Sequence, residues 1–324
     1  MRLLFPGILL VLFSVRLAAQ SLPDSLFTGT FNGVVVLGEK GRVSFIQVRG
    51  CSDCGRNVPL RRDAQFVIGS LSKQITAVLV LREYDKGRLR PEDPVSRYLS
   101  GISWGDSVTI HQLLNHTSGA VATDKPLTHR PGTKFVYSPT FTYGLLARII
   151  EKTSGKSYDD LAADLFVRCG MKHSTTPARY SGQRLSQPCL RYPDGHYQAE
   201  KLDLQSFRPL AAGGAIISTA ENLLRWNTHL HGGKLLSVDA YRKMTTPSSE
   251  RDHTIWGKVG YGYGIQIGQK GDLGHSGYLD AYNSINFYYP STGKSLILLS
   301  NVDASPDDII RCFAVHRQLY NLIR

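Results

Sequence analysis

The strongest candidates for a reactive pair in this sequence are Ser70 and Lys73, in the string Ile68-Gly69-Ser70-Leu71-Ser72-Lys73. A serine hydroxyl is nearly inert at neutral pH and needs a base held against it. Three residues apart on a helix, the two side chains lie on one face, so Lys73 can activate Ser70. Ser70 also follows a predicted strand and begins the helix, where amide N–H groups and the helix dipole can stabilise an oxyanion. The competing interpretation is a helix N-cap serine without chemistry.

A Ser-x-x-Lys string is a weak signal by itself, because it arises by chance in many proteins. This chain has a second copy, Ser291-Thr292-Gly293-Lys294, which follows Pro290 between two predicted strands. That composition predicts a hairpin turn facing solvent. The context of the two strings therefore favours Ser70 as the nucleophile.

The secondary structure expected around Ser70 consists of strands near both ends of the chain, with helices between them. The patterns predict strands at 33–37, 42–48, 66–68, 261–267, 273–275, 284–289 and 296–301, and helices at 70–86, 111–115, 143–153, 158–168, 220–231 and 306–322. This order predicts an α+β fold, with one antiparallel sheet built from both chain ends, flanked by helices, and an inserted, mainly helical lobe.

We expect one catalytic domain over residues 21–324, with an α/β lobe at about 21–95 and 255–324 and a helical lobe at about 96–254. Residues 1–20 have the order of an export signal, with Arg2, an apolar run from Leu3 to Val15, and then Ala18 and Ala19. The run is shorter than the roughly 20 residues of a membrane-spanning helix. The mature protein is therefore expected to be secreted or periplasmic, with no membrane span after signal removal.

The chain has a formal net charge of +12. Its charged residues are scattered along the sequence, without a basic helix or a strip of interleaved basic and aromatic residues. A solvated basic surface is favoured over nucleic-acid binding, and an anionic cell-envelope polymer stays open as a partner. No phosphate loop, His-Glu-x-x-His string or Gly-x-Ser-x-Gly elbow occurs. Their absence disfavours nucleotide-binding, zinc-protease and α/β-hydrolase functions.

Five cysteines in an exported protein predict disulfides. Cys51 and Cys54 form a C-x-x-C in a segment of turn composition. A zinc site would need a second ligand pair, which Cys169 and Cys189 do not supply. The spacing favours a local bridge between Cys51 and Cys54. One cysteine must stay unpaired, and Cys312 in the apolar last helix is the candidate.

Further strings follow Ser70 in a fixed order. They are Leu113-Leu114-Asn115-His116-Thr117-Ser118-Gly119, Pro131-Gly132-Thr133-Lys134-Phe135-Val136-Tyr137-Ser138, Gly274-His275-Ser276-Gly277 and, more weakly, Ala212-Gly213-Gly214-Ala215-Ile216-Ile217-Ser218-Thr219. With the Ser70 string, this set resembles the serine β-lactamase/penicillin-binding-protein superfamily, most closely its class C-like branch. The resemblance covers most of the chain after residue 20. In that frame His116 is expected to anchor a turn.

The resemblance implies a covalent acyl-enzyme mechanism on an ester or amide in a small-molecule or peptide substrate, with no metal or cofactor. The residues that it assigns are Ser70, Lys73 and Tyr137 for catalysis, the backbone N–H groups of Ser70 and Tyr278 for the oxyanion hole, and His275, Ser276 and Gly277 for substrate binding. A phenol with an ordinary pKa near 10 acts as a base near pH 8 only if a cation such as Lys73 lowers that pKa. Whether Lys73 or Tyr137 takes the proton first stays open.

Two departures from the family pattern concern substrate choice. Pro139 stands where relatives have the asparagine of Tyr-x-Asn, and proline cannot donate a side-chain hydrogen bond to an amide. His275 replaces the lysine of Lys-Thr-Gly and its fixed charge. We therefore expect better turnover of esters or neutral amides than of carboxylate-bearing β-lactams and D-Ala-D-Ala peptides, with His275 aiding anionic substrates when protonated near pH 5.5. A β-lactamase, a D,D-peptidase and a non-catalytic peptidoglycan- or peptide-binding protein remain the alternatives.

Overall fold

The computed structural model describes residues 22, 26–27, 31–182, 184–303 and 309–323. The predicted export signal at 1–20 and the predicted helix start at Pro306 lie outside these residues. Of the helices in the described part of the chain, none is long and apolar enough to cross a membrane.

Most strands lie near the two ends of the described chain. In chain order they are β1 Gly33–Glu39, β2 Arg42–Arg49, β3 Cys51–Asp53, β4 Val58–Pro59, β5 Phe66–Val67, β6 Cys189–Arg191, β7 Tyr197–Ala199, β8 Ile217–Ser218, β9 Ser249–His253, β10 Gly257–Tyr261, β11 Gln266–Ile267, β12 Leu273–Leu279, β13 Tyr282–Tyr289, β14 Lys294–Ser300 and β15 Val302–Asp303.

Most helices lie between these two groups of strands. They are α1 Ser72–Asp85, α2 Ile110–Leu114, α3 Phe141–Ser154, α4 Tyr158–Arg168, α5 Leu204–Phe207, α6 Ala220–Leu230, α7 Val238–Thr245, α8 Ile309–Cys312 and α9 Ala314–Ile323, with a π-helical turn at Ala211–Ala215 and 3₁₀ turns that include Gly69–Leu71.

The main sheet joins the two ends of the chain. Within the described residues it has eight strands in the order β2-β1-β14-β13-β12-β11-β10-β9, and each neighbouring pair is antiparallel. The prediction of an antiparallel sheet built from both chain ends, with helices around it, is confirmed.

Alternation along the strands divides the core between the two faces of this sheet, because neighbouring strand residues point to opposite sides. On β1, Val34 and Val36 pack into the core that contains α1, whereas Val35 packs into the core that contains α9. Helix α1 is buried on nearly all sides, as expected for a helix that crosses the centre of a core.

The structure differs from the predicted elements in three places. The strand expected at 261–267 is interrupted, because Gly264 has φ +67° and turns the chain between β10 and β11. Strand β9 belongs to the main sheet, although it lies inside the segment predicted to be a helical lobe. The predicted last helix is divided into α8 and α9.

The predicted bridge between Cys51 and Cys54 is wrong. Cys54 is bonded to Cys189, 135 residues further along the chain. The Cys51 thiol instead donates to Asn57 Oδ1 at 3.0 Å, within the β3–β4 hairpin. The Cys312 thiol donates to the carboxylate of Asp303 at 2.7 Å. The disulfide therefore links β6 to the β3–β4 hairpin. These two segments are far apart in the sequence, so the local spacing of the cysteines could not show the pairing.

Candidate active site

Ser70 lies in a 3₁₀ turn between β5 and α1 rather than inside α1. Gly69 has φ +55°, which suits a residue without a Cβ, and the chain then turns through Gly69–Leu71 before α1 starts at Ser72. Leu71 is the N-cap residue of α1, and no side chain caps the helix. The interpretation of Ser70 as an N-cap serine is therefore wrong. Its hydroxyl does not cap the helix and can form hydrogen bonds with the side chains that face it.

Two predicted catalytic side chains converge on the Ser70 hydroxyl. The ammonium of Lys73 donates to Ser70 Oγ at 3.0 Å, and the Tyr137 hydroxyl donates to the same atom at 2.5 Å. The Lys73 Nζ atom also lies 5.1 Å from the centre of the Tyr137 ring. Oγ, the amine and the phenol thus form one hydrogen-bonded group, which is the arrangement needed to move a proton off serine.

Two backbone carbonyls hold Lys73 in position. Its Nζ donates to Pro139 O at 2.5 Å and to Gly213 O at 2.6 Å, so the third donor direction is the one that meets Ser70. The side chain is completely buried, and this burial lowers the pKa of the Lys73 ammonium below its ordinary value. The family asparagine is absent, but the main chain of Pro139 supplies an acceptor to the lysine.

The pKa of Tyr137 is lowered from the ordinary tyrosine value near 10. Burial alone would raise it, but the positive charge of Lys73 and the hydrogen bond with Ser70 outweigh burial. Arg251 adds to the lowering, because its guanidinium carbon lies 4.2 Å from the centre of the Tyr137 ring. The expectation that a cation makes this phenol a stronger acid agrees with these contacts.

Two glycines let the strand β12 approach the Ser70 turn closely. A Cβ at Gly69 would lie 2.6 Å from Tyr278 N, and a Cβ at Gly277 would lie 2.9 Å from Ser70 N and 2.3 Å from Ile68 O. Any side chain at either position would push the two backbone segments apart. The two N–H groups expected to form the oxyanion hole therefore lie on neighbouring segments in close contact.

His116 anchors the loop that carries Tyr137, as predicted. It has φ +61°, its backbone oxygen accepts from Val136 N at 2.9 Å, and its Nδ1 accepts from Ser138 N at 3.3 Å. Its ring centre lies 4.7 Å from that of Tyr137. Burial lowers the pKa of His116 well below the ordinary histidine value, so the ring is a neutral support.

The structure changes the roles expected for His275 and Ser276. His275 is buried, with Nε2 at 2.9 Å from Tyr261 Oη and Nδ1 at 2.6 Å from Ser276 O. Burial, with a contribution from Lys73, lowers the pKa of His275 well below its ordinary value. The expectation that His275 becomes charged near pH 5.5 is therefore wrong.

Ser276 points away from this histidine, as neighbouring strand residues do. Its hydroxyl accepts from Trp256 Nε1 at 3.0 Å and lies 3.2 Å from His253 Nε2. A direct contact between this hydroxyl and substrate is therefore not supported. The Tyr278 side chain donates to the Asp303 carboxylate, so the contribution of Tyr278 at the Ser70 turn is its backbone.

Sequence reasoning missed Arg251 and the acceptor role of Gly213. Gly213 lies in the weakest of the family-like strings, whose glycines gave some signal. Arg251 lies in the unpredicted strand β9 and carries no motif, so no local pattern could have found it. Within the described residues, no group of three His, Cys, Asp or Glu side chains is placed to hold a metal ion.

The sequence profile of the Beta-lactamase family matches residues 25–319. The chain belongs to the Beta-lactamase family. The profile therefore spans every residue of the candidate site, from the Ser70 turn to β12.

Two named bacterial proteins resemble this chain in sequence. A putative penicillin-binding protein PbpX from Bacillus subtilis (strain 168) is 25% identical over 311 residues, which cover 90% of this chain and 75% of that protein. A teichoic acid D-alanine hydrolase from Staphylococcus aureus is 25% identical over 244 residues, which cover 68% of this chain and 59% of that protein.

A solved structure shows the same fold. The D-amino acid amidase from Ochrobactrum anthropi SV3, complexed with L-phenylalanine amide, has a TM-score of 0.77 and 20% sequence identity, covering 93% of this chain and 95% of the amidase. Of the two sequence relatives, the Staphylococcus aureus protein is named as a hydrolase.

Proposed function

We propose that this protein is an exported serine hydrolase that forms an acyl-enzyme on Ser70 from an ester or amide substrate. The observation that carries the proposal is the Ser70 hydroxyl with Lys73 Nζ at 3.0 Å and Tyr137 Oη at 2.5 Å. No metal or cofactor takes part in the proposed reaction. The export part rests on the composition of residues 1–20, which favours a secreted or periplasmic location.

In the first half of the reaction, Ser70 Oγ attacks the substrate carbonyl carbon. The Ser70 proton passes to the Tyr137 phenolate or to the neutral amine of Lys73, both of which are made accessible by lowered pKa values. The backbone N–H groups of Ser70 and Tyr278 hold the oxyanion. The carbon–oxygen or carbon–nitrogen bond to the leaving group then breaks, and the leaving group takes the proton.

In the second half, water attacks the acyl-enzyme. The same phenolate or amine accepts a proton from the water, the bond between the acyl carbon and Ser70 Oγ breaks, and Oγ regains a proton. An acid is released and the site returns to its starting state. Esters are the favoured substrates, because Pro139 offers no side-chain donor to an amide carbonyl. The name of one relative, a teichoic acid D-alanine hydrolase, supports a D-alanine-bearing envelope polymer as one substrate of this kind.

A fluorophosphonate probe tests the proposal, because it reacts covalently with an activated serine. We expect the wild-type protein to be labelled and the Ser70→Ala variant to lose labelling, with turnover of an aryl ester falling at least about 10³-fold. Ser291→Ala is the matched control, since it removes the serine of the second Ser-x-x-Lys string, and it should be labelled normally. Unchanged labelling of Ser70→Ala would refute the nucleophile assignment.

A screen of aryl esters, D-peptides and cephalosporins separates the alternatives. Rapid deacylation of a cephalosporin would favour a β-lactamase, and release of a terminal D-alanine would favour a D,D-peptidase. The hydrogen bonds around Ser70 argue against a non-catalytic binding protein. That alternative would be supported only if no acyl-enzyme formed with any of the three substrate classes.

A further inference from the structure

The π-helical turn at Ala211–Ala215 supplies one of the two backbone acceptors of Lys73. Gly213 O accepts from Lys73 Nζ at 2.6 Å, and all residues of the turn are buried. Single π-helical turns are rare and occur frequently at functional sites. Because this turn carries a group that directs the proposed base, the contacts that fix the turn also affect the position of the Lys73 amine.

Two hydroxyl groups fix the start of this turn. Thr76 Oγ1 donates to Ala212 O at 2.7 Å and lies 2.7 Å from Tyr158 Oη, whereas Ser72 O is further away at 3.5 Å. A threonine hydroxyl has one proton, which Ala212 O takes, so the Tyr158 hydroxyl is the donor in the second bond. Burial raises the pKa of Tyr158 above the ordinary tyrosine value, which keeps that proton on the phenol. A chain of two hydrogen bonds therefore leads from α4 through Thr76 to the carbonyl that precedes Gly213.

Ser72 fixes the other end of the turn. Its hydroxyl accepts from Ile216 N at 3.1 Å, directly after the turn, and donates to Gly69 O at 2.8 Å, directly before the nucleophile. Spacings of three and four residues place Ser72 and Lys73 beside Thr76 on α1. One face of α1 therefore holds the turn at its start, at its middle and just after its end.

The turn also packs against the segment that supplies the second acceptor of Lys73. A Cβ at Gly213 would lie 2.8 Å from Thr140 Cα and 3.0 Å from Pro139 O. The two carbonyls that hold the lysine, Gly213 O and Pro139 O, are therefore on backbone segments in direct contact. A displacement of the turn would disturb both acceptors at once.

We propose that Thr76 is a positioning residue for catalysis, with Tyr158 as its support. Through the turn, Thr76 holds Gly213 O where that oxygen directs Lys73 Nζ toward the Ser70 hydroxyl. This inference rests on the proposed function of Ser70. Thr76 and Tyr158 are both buried, and within the described residues their hydroxyls bond to each other and to the turn rather than to Lys73 or Ser70. The expected effect is therefore on the base and not on substrate binding.

Removal of the Thr76 hydroxyl with little change of shape tests the inference. Thr76→Val should lower the rate constant of acylation by p-nitrophenyl acetate about tenfold or more, because the base is misdirected. The dissociation constant of the ester should stay within about twofold. Thr76→Ser should restore most of the rate, since it keeps the hydroxyl. Tyr158→Phe should have a smaller effect in the same direction, because Thr76 keeps its bond to Ala212 O. The p-nitrophenol burst measures each value.

The pH profile separates positioning from a loss of stability. Gly213 O favours the charged form of Lys73, so withdrawal of this acceptor should lower the pKa of the lysine still further. The acid limb of acylation should then move to lower pH if Lys73 takes the serine proton. It should move to higher pH if Tyr137 takes the proton, because the phenolate loses a neighbouring positive charge. A variant that is only less stable keeps the wild-type limb, since its folded fraction has the wild-type site.

Other groups near Lys73 do not explain such a shift. The titratable and charged side chains that act on Lys73 or lie against it are Tyr137, Tyr143, His116, His275 and Arg251. None of them forms a hydrogen bond with the Thr76 hydroxyl in the described part of the chain. Thr76→Val therefore leaves these groups in place and acts on Lys73 through the turn.

Thr142→Val is the matched control. Thr142 is also a completely buried threonine, in α3 beside the site, but its hydroxyl has no hydrogen-bond partner among the described residues. The control should keep both the acylation rate and the acid limb. Equal losses in Thr76→Val and Thr142→Val would overturn the inference, and so would a lower rate in Thr76→Val with the wild-type limb, which would make Thr76 a purely structural residue.

The same measurements distinguish failure of this inference from failure of the proposed function. If the wild type forms an acyl-enzyme on Ser70 and Thr76→Val acylates at the wild-type rate, only the positioning role is wrong. If the wild type forms no acyl-enzyme on Ser70, the proposed function is wrong and the positioning role fails with it.

Discussion

The string Ser-x-x-Lys occurs twice in the chain, in two regions that differ in burial and in the groups that surround the serine and the lysine. Around Ser70, the lysine is completely buried and its Nζ meets Oγ and two backbone carbonyls. In the second string, Ser291 lies in the turn between β13 and β14 and Lys294 is the first residue of β14, and both are exposed, as expected for a hairpin that faces solvent. The spacing of serine and lysine is the same in both strings, so burial and the surrounding groups are what distinguish the Ser70 pair.

The difference has a physical cause. Water solvates an exposed ammonium well and leaves it protonated, so it cannot accept a proton near neutral pH. Burial removes that solvation and lowers the pKa of Lys73. Tyr137 and Arg251 reach the Ser70 region from other segments, and no equivalent ring contact involves the Ser291 turn within the described residues.

After the Ser70 substitution, the largest expected effect is that of replacing Lys73, and Lys294 in the second string provides the control. Lys73→Met should lower kcat/KM for an aryl ester by about 10² to 10⁴, the range for loss of a positioned base. Lys294→Met should leave it unchanged. The p-nitrophenol burst of each variant measures this, with circular dichroism to confirm folding. Equal bursts from the two variants would show that the buried lysine does not act as proposed.

Tyr137→Phe should have the next largest effect, since it removes the proposed proton carrier, for which the Ser291 region has no equivalent. In the wild type, kcat/KM should rise with pH below pH 10, because the neutral amine of Lys73 and the phenolate of Tyr137 both increase as pH rises through their lowered pKa values. Tyr137→Phe should lower the rate about 10² to 10⁴-fold. A variant that kept both the rate and the profile would remove Tyr137 from the mechanism.

Two glycines extend the comparison to the backbone. Gly69→Ala should lower kcat about 10² to 10³-fold, because its Cβ would lie 2.6 Å from Tyr278 N and displace an oxyanion donor. Gly293→Ala has a similar positive φ, +68°, but its Cβ would meet nothing closer than Lys40 Cγ at 4.0 Å. It should cost only about 1–2 kcal/mol of folding free energy. Urea unfolding and ester kinetics on both variants separate strain from lost catalysis.

The smallest expected effect concerns His275. Because burial and Lys73 lower its pKa well below the ordinary value, it stays neutral at both pH 5.5 and pH 8. His275→Gln should therefore leave the ratio of cephalosporin to short acyl ester turnover the same at the two pH values, within about twofold of the wild-type comparison. A preference for the cephalosporin at pH 5.5 that disappears in the variant would restore a charged role for His275.

The family, the fold class and the two side chains that meet Ser70 Oγ could all be predicted from the amino-acid sequence. The family-like strings at Ser70, Tyr137 and Gly277 could be found because the proposed nucleophile, its proposed base and a glycine that allows close approach are residue types with few substitutes. The antiparallel sheet could be predicted because strand alternation and hairpin residues are local signals.

The groups that surround those side chains could be identified only in the folded protein. The acceptor role of Pro139 is a property of its backbone oxygen, which no side-chain pattern encodes. The pairing of Cys54 with Cys189 and the approach of Arg251 to Tyr137 join segments that are far apart in the chain. The charge of His275 depends on its burial. Contacts, solvation and charge at this site arise between distant segments, so they exist only once the sheet and helices have packed.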